Sequence, residues 1–210
     1  MTPPQLKQFS ALVLYADILG TEDSLKNDEE GYVRRFLDLW CHARDYFGTI
    51  MHGKLSRILC IYDNIWARVT ADENTEAISP DNQVIDLFPD LLSVAISTNE
   101  KAIDCNLEMI QTIAFGKLWM NDEDLCYPVE PSTATPITEN IFSLGKPQLR
   151  CVEIFKSKKL RPNSIGIDEE IINALDGDEF YPNMRDYGYQ VSFKKSCCKK
   201  FYSVKYDRVS

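Results

Sequence analysis

The chain has 210 residues, 44% of them apolar and 26% charged, with a formal net charge of −9. This is the ordinary composition of a soluble globular protein, with enough apolar material for one sizeable core. The acidic balance excludes broad DNA binding, which needs cations to displace counterions, and no apolar run approaches the roughly 20 residues of a membrane span.

The N-terminal stretch MTPPQLKQFS has no basic region followed by an apolar run, so no export signal is expected. Seven cysteines without a framework spacing then point to reduced thiols in the cytoplasm. Cys60, Cys105 and Cys151 lie in apolar stretches and are expected in the core. Phe9 to Ile18 is apolar throughout and predicts a first strand buried on both faces. Gly20 to Glu30 is polar and predicts a loop. Val33, Phe36, Leu37, Trp40 and Phe47 recur at helical spacing and predict a helix over 30–46. Leu55–Tyr62 and Ile65–Thr70 predict two strands joined by a tight turn at Asp63-Asn64.

Residues 71–83 predict a polar loop, Phe88–Ile103 a second helix, and Leu107–Met120 a strand interrupted at Gly116. The proline-containing stretch 121–138, with Asp122, Glu123 and Asp124, predicts an extended solvated loop. A short helix over Gly145–Ser157, a strand over Ser164–Asp168, a helix over Glu169–Leu175 and a final hairpin over Tyr187–Val209 complete the order. The basic run Lys194 to Lys200 reads as a solvated edge of that hairpin. His42 and His52 have no second ligand at metal spacing. The order β-α-β-β-α-β is the split, ferredoxin-like pattern of an α+β domain. We expect one domain over 1–210, a core of 9–175 and a C-terminal hairpin extension over 176–210, with the helices on one face of the sheet.

Asp17 and Asp63 each follow an apolar run, in Tyr15-Ala16-Asp17-Ile18-Leu19-Gly20 and Tyr62-Asp63-Asn64-Ile65-Trp66-Ala67. A carboxylate at the end of a buried strand is costly unless something compensates it. The split topology brings the two strands together, so the two carboxylates can share a divalent cation whose other ligands are water and substrate phosphate. The competing reading has each aspartate ending a strand or capping a helix. For Tyr15, Trp66, Phe115 and Trp119 the first reading is core or sheet surface.

Four pieces together resemble the class III nucleotidyl cyclases, nearest to the divergent bacterial branch that holds the pyrimidine cyclases of Pycsar antiphage defence. They are Leu14 to Gly20, Asp63-Asn64-Ile65-Trp66-Ala67, Ile113-Ala114-Phe115-Gly116, and Gly145 to Glu153 followed by Lys156-Ser157 and Ile165 to Asp168. The resemblance implies a homodimeric ferredoxin-like cyclase domain with two Mn²⁺ or Mg²⁺ ions held by Asp17, Asp63 and the Ile18 carbonyl. It also implies a loop, Leu19-Gly20 to Ser24, that wraps the phosphates of a nucleoside triphosphate with backbone N–H groups, beside Tyr15 in the substrate site.

The pattern departs from the family at the late helix, where Leu149 and Glu153 fall at the Asn and Arg positions. Arg150 is the nearest replacement for the catalytic cation, and it could equally pair with Glu153. Lys146, Lys156 and Arg57 are lesser candidates. Leu59 stands at the purine-selecting lysine position and Phe142 at its partner's. An apolar pair of this kind fits a pyrimidine base, and the resemblance to the branch implies UTP, else CTP, converted to a 3′,5′-cyclic nucleotide that a separate effector reads. The same departures fit a degenerate cyclase fold that only binds nucleotide or a partner.

Overall fold

The computed structural model describes residues 6–71, 79–121, 143–175, 184–196 and 200–209. Its centre is β1 (Leu6–Ile18), which is hydrogen-bonded on both edges. Side chains alternate along a strand, and here both sets are apolar. Leu12 and Leu14 pack with Phe47 and with Leu91 and Leu92, while Val13 and Tyr15 pack with Ala114 and Cys151.

Helix α1 (Thr21–Ile50) and helix α3 (Phe88–Asp104) supply the first partners, and α4 (Lys146–Lys156) the second. Helices therefore cover both faces, and the expectation of a one-sided sheet is corrected. The reason is β1 itself: a strand with no polar face needs cover on both sides.

Strand β2 (Ser56–Ile61), β3 (Asn64–Thr70), β4 (Met109–Asn121), β6 (Ser164–Asp168), β7 (Tyr189–Lys195) and β8 (Phe201–Arg208) complete the main sheet. The order is β2-β3-β1-β4-β6-β8-β7, with the short β5 (Ser143–Gly145) also paired to β4. The first four strands in the order β2-β3-β1-β4, all antiparallel, with α1 and α3 as connections, are the split α+β pattern expected. Strand β6 runs parallel to β4, which requires a crossover, and α4 lies on it. The C-terminal hairpin joins the same sheet, β8 pairing with β6.

Three local expectations are corrected. The stretch 20–30 is helical from Thr21. Its residues are nearly all exposed, so no apolar period marks it. The helix is broken at Asp28 (φ −155°, ψ 71°), whose carboxylate accepts the Gly31 N–H at 3.1 Å and so caps the longer segment. Helix α2 (Pro80–Asp86) occupies part of the expected loop 71–83. Ser79 accepts the Asn82 N–H at 3.3 Å and Pro80 takes the first helical position. Strand β4 runs through Gly116 without a break, and Pro147 packs into the space its missing side chain leaves.

Gly145 is required by close approach: a Cβ there would stand 2.3 Å from the Lys117 carbonyl oxygen. Beyond β6, α5 (Glu169–Ala174) follows as expected, and a 3-10 turn at Met184–Tyr187 leads into the hairpin. Asp122, Glu123 and Asp124 with the loop expected there, Phe142, and Cys197-Cys198 lie outside the described residues.

Candidate active site

Asp17 is the penultimate residue of β1, and Asp63 sits in the two-residue turn between β2 and β3. The β1–β3 register sets Asp17 opposite Asn64, the neighbour of Asp63. The Ile18 N–H donates to the Asp63 carbonyl at 3.4 Å, so the backbone also ties the two positions together. Neither aspartate caps a helix: the N-cap of α1 is Gly20. The turn itself is unusual. Tyr62 holds φ 56°, a left-handed conformation that favours glycine, and its side chain is 92% exposed.

A hydrogen-bonded chain links the two carboxylates. One Tyr15 hydroxyl faces Asn64 Oδ1 at 2.6 Å and Asp17 Oδ1 at 3.1 Å, and Asn64 Nδ2 donates to Asp63 Oδ1 at 3.0 Å. Burial pushes the Asp17 carboxyl above its ordinary value; the Tyr15 hydroxyl opposes that shift and the Asp63 charge adds to it. Burial and the Asp17 charge push the Tyr15 phenol up as well. Among the described residues, the groups acting on Asp17 include no cation.

Two neighbouring half-buried carboxylates, with no cation acting on Asp17 among the described residues, are the charge arrangement a divalent ion relieves. The donor set is hard oxygen, which suits Mg²⁺ or Mn²⁺. The Ile18 carbonyl is a third oxygen of that kind; it accepts the Thr21 hydroxyl at 3.3 Å, and Thr21 in turn bonds the Tyr32 hydroxyl at 2.8 Å. No cluster of three or more His, Cys, Asp or Glu occurs among the described residues. Among the described residues, the remaining ligands of a cation here would be backbone oxygens, completed by water and substrate.

The expected phosphate-wrapping loop is the first turn of α1. The Leu19 N–H donates to the Glu108 carbonyl at 2.8 Å, and Gly20 turns the chain in the left-handed region (φ 70°, ψ 20°). With no side-chain cap, the first N–H groups of the helix lack carbonyl partners and favour an anion. Glu22 and Asp23 lie in the same turn and set an opposing charge beside it.

Leu59, Trp66 and Tyr15 are successive partners across β2, β3 and β1 and so share one face of the sheet. The Tyr15 ring lies 4.5 Å from that of Trp66 and 5.6 Å, edge-on, from that of Phe155. Leu59 is half-buried beside this aromatic pair. Arg57, two residues earlier on β2, lies on the same face opposite Arg68, one step further from Asp63.

Arg150 belongs to a different cluster. From α4 its guanidinium grips Asp168, with Nη2 to Oδ1 at 2.8 Å and Nε to Oδ2 at 3.4 Å. Nη1 pairs with Glu153 at 2.6 Å, and Nη2 also donates to the Lys200 carbonyl at 3.1 Å. Asp168 is 1% exposed. Cavities of about 330 and 360 Å³ flank Arg150 and are lined by Lys146, Lys156 and Lys200, with neither Asp17 nor Asp63 in either.

The chain thus assembles Asp17, Ile18, Asp63, Tyr15, Leu19, Gly20 and Leu59 at one end of the sheet and holds Arg150 apart from them. Asn64, Thr21 and Tyr32 escaped the sequence reading. The signal for Asn64 was its place beside Asp63, where the sequence predicts the turn; in the structure it opens β3 just after that turn, and nothing in the spacing marks the other two.

No protein-family model and no curated protein matches the chain. Solved structures do. The adenylyl cyclase CyaB from P. aeruginosa superposes with a TM-score of 0.60 at 12% identity, over 98% of this chain and 97% of that one. The guanylyl cyclase domain of the RhoGC fusion protein from the aquatic fungus Blastocladiella emersonii gives 0.58 at 11%, over 96% and 97%. The catalytic core of a rhodopsin-guanylyl cyclase with converted specificity, in complex with ATPαS, gives 0.58 at 12%, over the whole of both chains. The fold of this chain is that of the guanylyl and adenylyl cyclase domains.

Proposed function

We propose that this chain is a metal-dependent nucleotidyl cyclase that converts UTP, or else CTP, to the 3′,5′-cyclic monophosphate and pyrophosphate. One observation carries the reading: on a cyclase fold, Asp17 and Asp63 stand together, and the groups acting on Asp17 among the described residues include no cation. Asp17, Asp63 and the Ile18 carbonyl would hold two Mn²⁺ or Mg²⁺ ions. Bound there, such ions would supply the charge stabilisation of an in-line displacement at its attacking and leaving oxygens. The 3′-oxygen forms its bond to the α-phosphorus as the bond to pyrophosphate breaks, and the hydroxyl proton passes to solvent.

The chain's own groups position the substrate. The first N–H groups of α1, after Leu19 and Gly20, face the phosphates. Leu59, with Trp66 and Tyr15 beside it, offers the base an apolar wall with no side-chain donor from Leu59 to read a purine edge. Arg150 would act from the second copy of a head-to-tail homodimer, because its own chain holds it in another cluster. Arg57 and Phe142 are further substrate contacts. The cyclic product would serve as a cytoplasmic second messenger for a separate effector in antiphage defence of the Pycsar kind.

A second reading has one specific support. Asp168, Glu153 and the Lys200 carbonyl already engage the guanidinium of Arg150, which fits a chain that binds nucleotide or a partner without turnover. Incubation with the four nucleoside triphosphates at equal concentration and Mn²⁺ separates the two. The expected result is cUMP first, cCMP second. Dominant cAMP or cGMP overturns the assignment of the base, and no cyclic product from any triphosphate decides for the second reading.

A further inference from the structure

We infer that Tyr15 and Asn64 are positioning residues that set the two aspartates for a divalent cation, an inference that rests on the metal reading above. The observation is the continuity of the chain from Asp17 Oδ1 through the Tyr15 hydroxyl and the Asn64 carboxamide to Asp63 Oδ1. Asp63 Oδ1 accepts from Asn64 Nδ2, and the single Tyr15 proton is shared between Asn64 Oδ1 at 2.6 Å and Asp17 Oδ1 at 3.1 Å, so neither Oδ2 is taken up by this chain and each could face a cation. Asn64 is suited to the middle place because an amide accepts with one end and donates with the other. Here it accepts from Tyr15 and donates to Asp63.

The frame that holds this chain is rigid. Tyr15 is buried in β1, with its ring fixed between Trp66 and Phe155. Asn64 is the first residue of β3, paired in register with Asp17. Without the Tyr15–Asn64 link, the Asp63 backbone would stay tied to Ile18, but its side chain, in a two-residue turn at the tip of a hairpin, would be free to rotate away from Asp17. Partners that orient metal ligands typically contribute 10- to 100-fold in metal affinity.

The test is titration of the full chain with MnCl₂ in the absence of nucleotide, by calorimetry and by electron paramagnetic resonance of the bound Mn²⁺. Tyr15→Phe keeps the ring and removes only the hydroxyl; Asn64→Ala removes the relay. Each is expected to weaken Mn²⁺ binding roughly 10-fold and to alter the Mn²⁺ spectrum, with circular dichroism unchanged. The double variant is expected to lose no more than about the larger single effect, because both act through one chain. Wild-type affinity and spectrum in Tyr15→Phe would overturn the inference while leaving the metal reading intact. A wild-type chain that binds no Mn²⁺ would sink both.

Discussion

The ends of β1 and β6 both carry a carboxylate, and the protein treats them in opposite ways. Asp168, at the end of β6, is the more deeply buried, yet Arg150 answers it in fork-to-fork geometry with Lys200 and Glu153 completing the guanidinium's contacts. Asp17, at the end of β1, meets a second carboxylate and a phenol instead. Structural economy explains the first arrangement, since a buried charge needs a partner. It does not explain the second, where like charges accumulate and burial raises the carboxyl. A site left uncompensated on a well-paired scaffold is where a ligand is expected.

The largest test of this contrast removes one side of it. Asp17→Ala or Asp63→Ala is expected to cost at least about 10³-fold in cyclic-nucleotide formation, since in the proposed reaction both the nucleophile and the leaving group would depend on ions held by those carboxylates. Folding is expected to survive. A carboxyl raised in the folded state favours the protonated form there, so its ionised form works against folding as pH rises above the ordinary carboxylate range. Asp17→Asn should therefore melt no lower than wild type at pH 7. A lower melting temperature would show Asp17 to be a structural residue.

Breaking the other side should act on stability. Arg150→Ala strands Asp168 in the interior and is expected to cost about 3–5 kcal/mol, read by urea unfolding. Arg150→Met with Asp168→Leu is expected to recover most of that loss, because a well-packed apolar pair replaces a buried ion pair at little cost. If Arg150→Ala alone is neutral, the pair is not holding α4 to β6.

Much of this was readable from the chain. The β2–β3 hairpin, the helical spacing of α3 and the order of the first four strands follow from periodicity and turn residues, and the meeting of Asp17 with Asp63 follows from that order. The turn itself is Tyr62-Asp63, one residue earlier than the Asp63-Asn64 expected, because Asn64 pairs with Ile61 and Asp17 as the first residue of β3. The start of α1 was not readable, because Thr21 to Glu30 makes its helix with exposed polar residues and i,i+4 pairs such as Glu22–Lys26. The two-sided cover was implied by the unbroken apolar run of β1, and a reading that took this run seriously would have placed helices on both faces. Arg150 was recognised beside Glu153, its neighbour on the helix. Asp168 lies 18 positions away, a distance that only the packing of α4 on β6 closes. Asn64 was seen as a turn residue; its second role depends on the register that sets it opposite Asp17.

A cation should convert the uncompensated end into a stabilising one. Mn²⁺ at about 100 times its dissociation constant is expected to add about 2.7 kcal/mol, or about 5–10 °C in melting temperature for a chain of this size. Asp17→Ala should abolish the shift, while the Arg150→Met, Asp168→Leu variant should keep it. Equal Mn²⁺ shifts in wild type and Asp17→Ala would place the ion elsewhere.

The smallest effect sharpens the contrast by pH, with Glu100 as the paired carboxylate. Glu100 on α3 accepts from Arg208 at 2.6 and 2.9 Å and from the Tyr189 hydroxyl at 2.9 Å, tying the C-terminal hairpin to the helix. Arg208 lowers the Glu100 carboxyl; burial opposes it and Tyr189 assists. The sign is therefore opposite to that of Asp17. The folded state binds fewer protons at Glu100 than the unfolded state, so its contribution is fully present above the ordinary glutamate range and is lost as pH falls through the lower folded value. Arg208 is exposed, so the effect should be modest. Amide exchange along β8, corrected for the intrinsic pH dependence, is expected to lose protection between pH 6 and pH 3 in wild type and to be flat in Glu100→Gln. The same pH dependence in both would remove Glu100 from the hairpin's anchorage and leave that anchorage to the pairing of β8 with β6 and to contacts such as Asn99 with Tyr206 and Lys195 with Glu169.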